Sequence, residues 1–188
     1  MNPEMPYFHH CVKTRLGKAA IVWSGVGRTF RIVRICLPAP EAALMREIRT
    51  LFPGSAAKSC GAVAALAGRL QAFMAGKPVS FDTAALDTSR VPPYHRRVLA
   101  ALAAIPRGNV MSYGGVASIT GAPGGARAAG QGCGKNPFPV VYPCHRVIRA
   151  DGSLGGFGGG LTLKRALLEM EGVRFDRTGK VLPEHILR

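Results

Sequence analysis

The sequence predicts an α+β protein in two domains, residues 1–88 and 89–188, on three observations. Short β-prone apolar segments separated by glycines fill the first 36 residues. Apolar residues then recur at helical spacing in several stretches. A polar, proline-bearing stretch, DTSRVPPY (87–94), divides the two halves. With 188 residues, 47% of them apolar and 19% charged, the chain has the material for packed cores, which excludes a disordered tail or a collagen-like fibre.

In the first domain, AIVW (19–22) and FRIVRIC (30–36), set apart by Gly17, Gly25 and Gly27, read as a small antiparallel meander running from residue 5. Leu44, Ile48, Leu51 and Phe52 mark a helix that stops at Pro53-Gly54, and Val63, Leu66, Leu70, Phe73 and Met74 mark a second, ended by Gly76 and Pro78. In the second domain Val98, Leu99, Leu102 and Ile105 form the buried face of a helix stopped by Pro106-Arg107-Gly108. The segment NVMSY, a helix around 114–120, the turn GAPGG and the stretch ARAAGQGCGKNP then suggest a helix-turn-helix. Gly124, Gly125, Gly130, Gly132 and Gly134 would each cost a helix about 1 kcal/mol relative to Ala, so propensity leaves its second helix open. FPVVYPCHRVI (138–148) has strand character broken by Pro143, and a loop with 6 Gly in 9 residues (152–160) follows. A last helix has Leu163, Ala166, Leu167 and Met170 on one face and ends at Gly172; beyond about residue 176 the tail reads as an appendage.

Charge gives the first functional clue. There are 25 Lys and Arg against 10 Asp and Glu, a net charge of +15, with +6 before residue 89 and +9 after it. Such an excess attracts phosphate backbones, and with no basic tail any polyanion-binding surface must be assembled by folding. The longest uncharged stretch, Gly108 to Ala126, is full of Gly, Ser, Thr and Pro, so no membrane span is expected. The opening residues, MNPEMPYFHHC, lack the basic start and apolar core of a secretion signal, so a cytoplasmic location is expected, or a nuclear one in a eukaryote.

Five cysteines (Cys11, Cys36, Cys60, Cys133, Cys144) at irregular spacing argue for reduced thiols rather than a disulfide scaffold. His9, His10 and Cys11 with Cys36 or Cys60 lack CxxC or HxxxH spacing, so no metal is expected. The phosphate-loop pattern GxxxxGK[ST] is absent around Lys164. The sharper signal is Pro143-Cys144-His145-Arg146-Val147. A cysteine reacts as its thiolate, and an imidazole or cations beside it (His145, Arg146 and Lys164 are candidates) favour that form. Proline before the cysteine would hold the sulfur at a bend.

PCHRV, preceded by Asn136-Pro137 and followed by the glycine-rich loop and a helix ending Glu171-Gly172, closely resembles the O6-alkylguanine-DNA alkyltransferases. The likeness runs from about Pro92 to Gly172 and includes Met111-Ser112-Tyr113 and Ala126-Arg127-Ala128. It implies a ribonuclease-H-like first domain and a mainly helical, winged-helix-like second one. It also implies that Cys144 accepts the alkyl group, that His145 takes its proton through a water and that Glu171 orients His145. Tyr113 would hydrogen-bond or protonate the departing guanine, and Asn136 would brace the two halves of the site. Arg127 would fill the gap left by a flipped nucleotide, with Gly130 and Lys135 on the DNA-facing helix. Val147, Gly158 and Phe157 would line the base pocket; Gly158 stands where many relatives have Ser, and Phe157 where Tyr is common. The implied partner is double-stranded DNA carrying O6-alkylguanine, acted on by a monomer without cofactor, membrane or obligate protein partner, each molecule reacting once. The competing readings are a noncatalytic lesion binder of the same fold, which would lack the cysteine, and a cysteine hydrolase, for which no oxyanion motif stands out.

Overall fold

A computed structural model describes residues 6–187; residues 1–5 and 188, and with them the first residue of the expected meander, lie outside it. The chain divides into two compact units between Thr88 and Ser89. Both mix helices with small sheets, an α+β architecture.

In the first unit β1 (Tyr7–Thr14), β2 (Gly17–Ser24) and β3 (Arg31–Ala39) form an antiparallel meander, and the short β4 (Ala56–Ala57) adds in parallel beside β1. Strand β2, paired along its length with β1 and β3, is buried continuously from Ala19 to Ser24 instead of alternating. Helix α1 (Glu41–Leu51) lays Leu44 and Ile48 against Ala20, Val22 and Cys36. Of the rest of the expected stripe, Leu51 is exposed, whereas Phe52, just past the helix end, packs against the same core. Helix α2 (Gly61–Met74) buries Val63, Ala67, Leu70, Phe73 and Met74.

The second unit opens with α3 (Pro93–Ala103), which starts on a proline at its first position, where no N–H is needed. It buries Val98, Leu99, Ala101 and Leu102. Strand β5 (Val110–Ser112) leads directly into α4 (Tyr113–Ile119), where Ser112 Oγ caps the helix by accepting from Gly115 N at 3.0 Å. The glycine-rich stretch does form a helix, α5 (Ala126–Gly134). Packing overrides propensity there: a Cβ on Gly132 would stand 2.9 Å from Val98 Cγ2, so the missing side chain is what lets α5 lie against α3.

Three expectations need correction. Residues 138–146 are not a strand, because Asn136 Oδ1 captures Phe138 N at 2.9 Å, Val140 takes a φ of 75°, and Cys144–Arg146 is a 3-10 turn; only β6 (Val147–Ile148) is extended. In α6 (Gly160–Met170) the buried face is Lys164, Leu167 and Leu168, one residue round from the expected stripe. The tail is no appendage: β7 (Ile186–Leu187) pairs in parallel with β5 on the side opposite β6, and His185 Nδ1 lies 2.8 Å from Gly108 O. That three-stranded sheet ties the segment leaving Cys144 to the strand that delivers Tyr113.

Candidate active site

Cys144 begins the 3-10 turn, its N–H donating to Tyr142 O at 2.8 Å. The Asn136 amide donates to the same carbonyl at 2.8 Å while its oxygen accepts from Phe138 N, so this buried side chain fastens both ends of the irregular loop before the cysteine. Burial pushes the Cys144 thiol up, against hydrogen bonding from Asn136, the charge of Lys164 and the backbone N–H groups of Cys144 and His145, all of which favour the thiolate.

Behind the thiol lies a fully buried relay. His145 Nε2 is 3.1 Å from Glu171 Oε1, and Arg146 grips the same carboxylate from Nε at 2.9 Å and Nη2 at 2.8 Å. Burial alone would raise the Glu171 carboxyl; the hydrogen bonds and charges of His145 and Arg146 outweigh it and hold the group at about 2. An ionised carboxylate only accepts, so His145 donates through Nε2 and carries its basic lone pair on Nδ1. Burial lowers the His145 pKa despite Glu171, so the ring is neutral at neutral pH and able to take a proton. Arg146, expected to act on the thiol, is instead committed to Glu171 and to Ile105 O, to which Nη1 donates at 2.6 Å.

Tyr113, Tyr142 and Phe157 pack half-buried against the core that holds Cys144, Val147, Cys133 and Ala129. Tyr113 OH donates to Gly156 O at 3.2 Å, and burial together with the neighbouring thiols pushes its phenol up to about 12, keeping it protonated. Gly155, at φ 66°, has no room for a side chain: a Cβ would meet the Tyr113 ring at 2.9 Å. The Phe157 ring stands edge-on to His145 at 6.5 Å, and Gly158 faces open space. Thus Cys144, His145, Glu171, Asn136, Tyr113, Val147 and Phe157 come together in one connected region. Arg127 is exposed on α5 and Lys135 is exposed just past its end, while Gly130 is half-buried and a Cβ there would meet the Tyr113 ring at 3.7 Å. Lys164, a candidate from the sequence for favouring the thiolate, does so through its charge. What the sequence did not show is that Lys164 is completely buried, on the same face of α6 as Leu167 and Leu168.

The family model for the DNA-binding domain of 6-O-methylguanine DNA methyltransferase matches residues 93–173. A methylated-DNA–protein-cysteine methyltransferase of Methanothermobacter thermautotrophicus is 45% identical over 115 residues, 61% of this chain and 64% of that one. A crystal structure of Mycobacterium tuberculosis O6-methylguanine methyltransferase superposes with a TM-score of 0.67 at 34% identity, covering 88% of this chain and 92% of the other. The chain belongs to the O6-methylguanine-DNA methyltransferase family. A structure of Mycobacterium tuberculosis OGT in complex with DNA gives this family member a TM-score of 0.70 at 33% identity, over 87% of this chain and 92% of that one. Against the curated Methanothermobacter methyltransferase the match spans just under two thirds of the relative's length.

Proposed function

We propose that this protein repairs O6-alkylguanine in duplex DNA by moving the alkyl group irreversibly onto Cys144. The observation that carries the reading is a buried thiol whose neighbour, His145, is kept neutral by its burial and is oriented by an ionised Glu171. An alkyl group on a guanine oxygen lies inside the base stack, so the nucleotide must rotate out, at a cost of a few kcal/mol that weakened pairing at the lesion reduces. Arg127, exposed near the start of α5, fills the vacated space, while Gly130 permits close backbone approach and Lys135 contacts phosphate. The everted base enters beside Val147, Phe157 and Gly158.

His145 Nδ1 then takes the Cys144 proton through a water, and Glu171 balances the imidazolium as it forms. The thiolate attacks the alkyl carbon in line. The S–C bond forms as the C–O6 bond breaks, and the electron pair leaves with the guanine. Tyr113, still protonated at neutral pH, hydrogen-bonds or protonates that leaving base. Asn136 holds the cysteine loop in place throughout. Atoms and charge balance without a cofactor, and a thioether has no labile bond, so each molecule acts once. In this reading the first unit is ribonuclease-H-like, the second a winged-helix-like DNA-binding unit, and the protein works as a cytoplasmic monomer. The domains are residues 1–88 and 89–188.

The test is a titration of duplex DNA bearing O6-methylguanine with the full chain. Repair is expected to stop at one lesion per protein, and Cys144→Ser is expected to bind the duplex without repairing it. Repair of many lesions per protein, or repair by Cys144→Ser, would refute the mechanism.

A further inference from the structure

Lys164 neither transfers a proton nor touches the leaving base in the chemistry above; beyond the pull of its charge on the Cys144 thiol, nothing there accounts for a side chain as deeply buried as His145. Its ammonium donates to Val147 O at 2.5 Å, to Leu154 O, and to Gly156 O at 3.4 Å. An ammonium has three N–H donors, and three carbonyls use all of them. Among the described residues no carboxylate pairs with it. Burying a cation without a counter-ion is costly, and a packing role alone would be met by an aliphatic side chain, as at Leu167 and Leu168 on the same stripe.

The three carbonyls belong to two separate stretches. Val147 starts the strand that leaves the Cys144 turn, whereas Leu154 and Gly156 sit in the loop where 6 of 9 residues (152–160) are glycine. Such a loop loses much conformational entropy on ordering and has few side chains with which to hold itself. The Gly156 carbonyl also accepts from Tyr113 OH at 3.2 Å, so the group that fixes Tyr113 is itself fixed by the amine.

We propose that Lys164 is a positioning residue: its ammonium ties the glycine-rich loop to the strand behind Cys144 and so holds Tyr113 and the base pocket in register with the thiol. The consequence for transfer rests on the alkyl-transfer reading; the tie itself does not. The groups facing the ammonium are Cys144, Cys133 from α5, Arg149 beyond β6 and the Tyr113 ring, 6.0 Å away. Burial, with Arg149 adding to it and the two thiols opposing, lowers the Lys164 pKa to about 8. Above that pH the amine loses a donor and its charge, and one carbonyl is released. Tyr113 and Cys133, both pushed up to about 12, titrate well beyond this point. Ionisation of Cys144 with rising pH favours transfer, so an alkaline fall in rate carries the sign of Lys164 and not of the nucleophile.

The experiment is single-turnover transfer from duplex O6-methylguanine by the wild type, Lys164→Met and Lys164→Arg, from pH about 6.5 to about 10. Melting temperature and the reaction of Cys144 with iodoacetamide are read in parallel. Lys164→Met is expected to transfer about 100-fold more slowly, the scale of a small misplacement at a reacting centre, while its thiol still reacts with iodoacetamide. Wild type is expected to slow as pH passes 8, and Lys164→Arg to recover most of the rate without that alkaline fall. Equal rates for Lys164→Met and wild type would overturn the proposal, as would a wild-type rate that stays flat or rises to the alkaline limit. That second outcome decides the matter even if Lys164→Met does not fold. Amide exchange of residues 152–160, corrected for its intrinsic pH dependence, reads the tie without transfer. It is expected to quicken above pH 8 in wild type only, and no such difference from Lys164→Arg would overturn the tie. A wild type that transfers nothing while this exchange difference persists refutes the alkyl-transfer reading alone.

Discussion

In the first unit the large side chains with least exposure are Trp23, Ile21, Leu44, Ile48, Leu70, Phe73 and Met74; in the second, Lys164, His145 and the Glu171 carboxylate are buried as deeply as Leu102 and Ile105. Among the described residues the only ion pairs with a fully buried carboxylate, those of Glu171, lie in the second unit, which also carries three exposed pairs. Arg34 and Glu47 each keep about a third of their side-chain surface in water (32% and 35%), whereas the side chains of His145 and Glu171 keep none. Burying charge is tolerated only where partners are complete, and the second unit supplies them: two cationic or hydrogen-bonding partners for Glu171, three carbonyls for Lys164. The first unit is held by apolar packing of helices on a meander; the second accepts a costlier interior, and that interior is where the proposed chemistry resides.

The widest gap between the units should appear on removing one carboxylate from each. Glu171→Gln leaves Arg146 largely buried without its counter-charge and is expected to cost about 3–5 kcal/mol in urea unfolding. Glu47→Gln, in a half-wet pair, is expected to cost less than about 1 kcal/mol. Equal losses would break the comparison. The acid limb sharpens it. Because Glu171 sits at about 2 in the fold against an ordinary 4.5, its stabilisation is complete above pH 4.5 and is lost as pH falls toward 2. Glu171→Gln should remove that part of the acid dependence.

A smaller contrast lies in two helical glycines. Gly132→Ala drives a Cβ to 2.9 Å from Val98, itself fully buried, and is expected to destabilise by about 1–3 kcal/mol before a helix-propensity gain of about 1 kcal/mol. Gly68→Ala in α2 meets nothing within 4 Å and is expected to stabilise by up to about 1 kcal/mol. Thermal melts of the two variants should therefore move in opposite directions. Smallest of all in stability is Arg127→Ala, on an exposed helix face, where a change within about 0.5 kcal/mol is expected. Its effect should show instead as slower transfer from duplex DNA with an unchanged iodoacetamide reaction at Cys144; unchanged transfer would remove Arg127 from the DNA-binding set.

The apolar stripes of α1, α2 and α3 could be read from sequence because burial there is apolar and periodic. Other parts follow from interactions that periodicity does not carry. Helix α5 forms although glycine disfavours it, because close contact with α3 rewards the missing side chain. Residues 138–146 carry β-prone side chains, yet the Asn136 amide and two prolines hold them irregular. The α6 face was misread by one position because a buried lysine counts as polar in any hydropathy pattern. Strand β7 is only two residues long and pairs with a segment some 75 positions earlier, too short and too remote for a local signal. At the site, the residue string around Cys144 carried the chemistry, whereas the Arg146–Glu171 grip and the Lys164 tie needed three dimensions.

The central claim concerns one sulfur atom, and peptide mass mapping after exposure of the full chain to excess O6-methylguanine duplex addresses it directly. A single methyl group on the peptide containing Cys144, reaching one per molecule and no more, is the expected result. A folded protein whose Cys144 peptide stays unmodified, or a methyl group found on Cys133 instead, would contradict it.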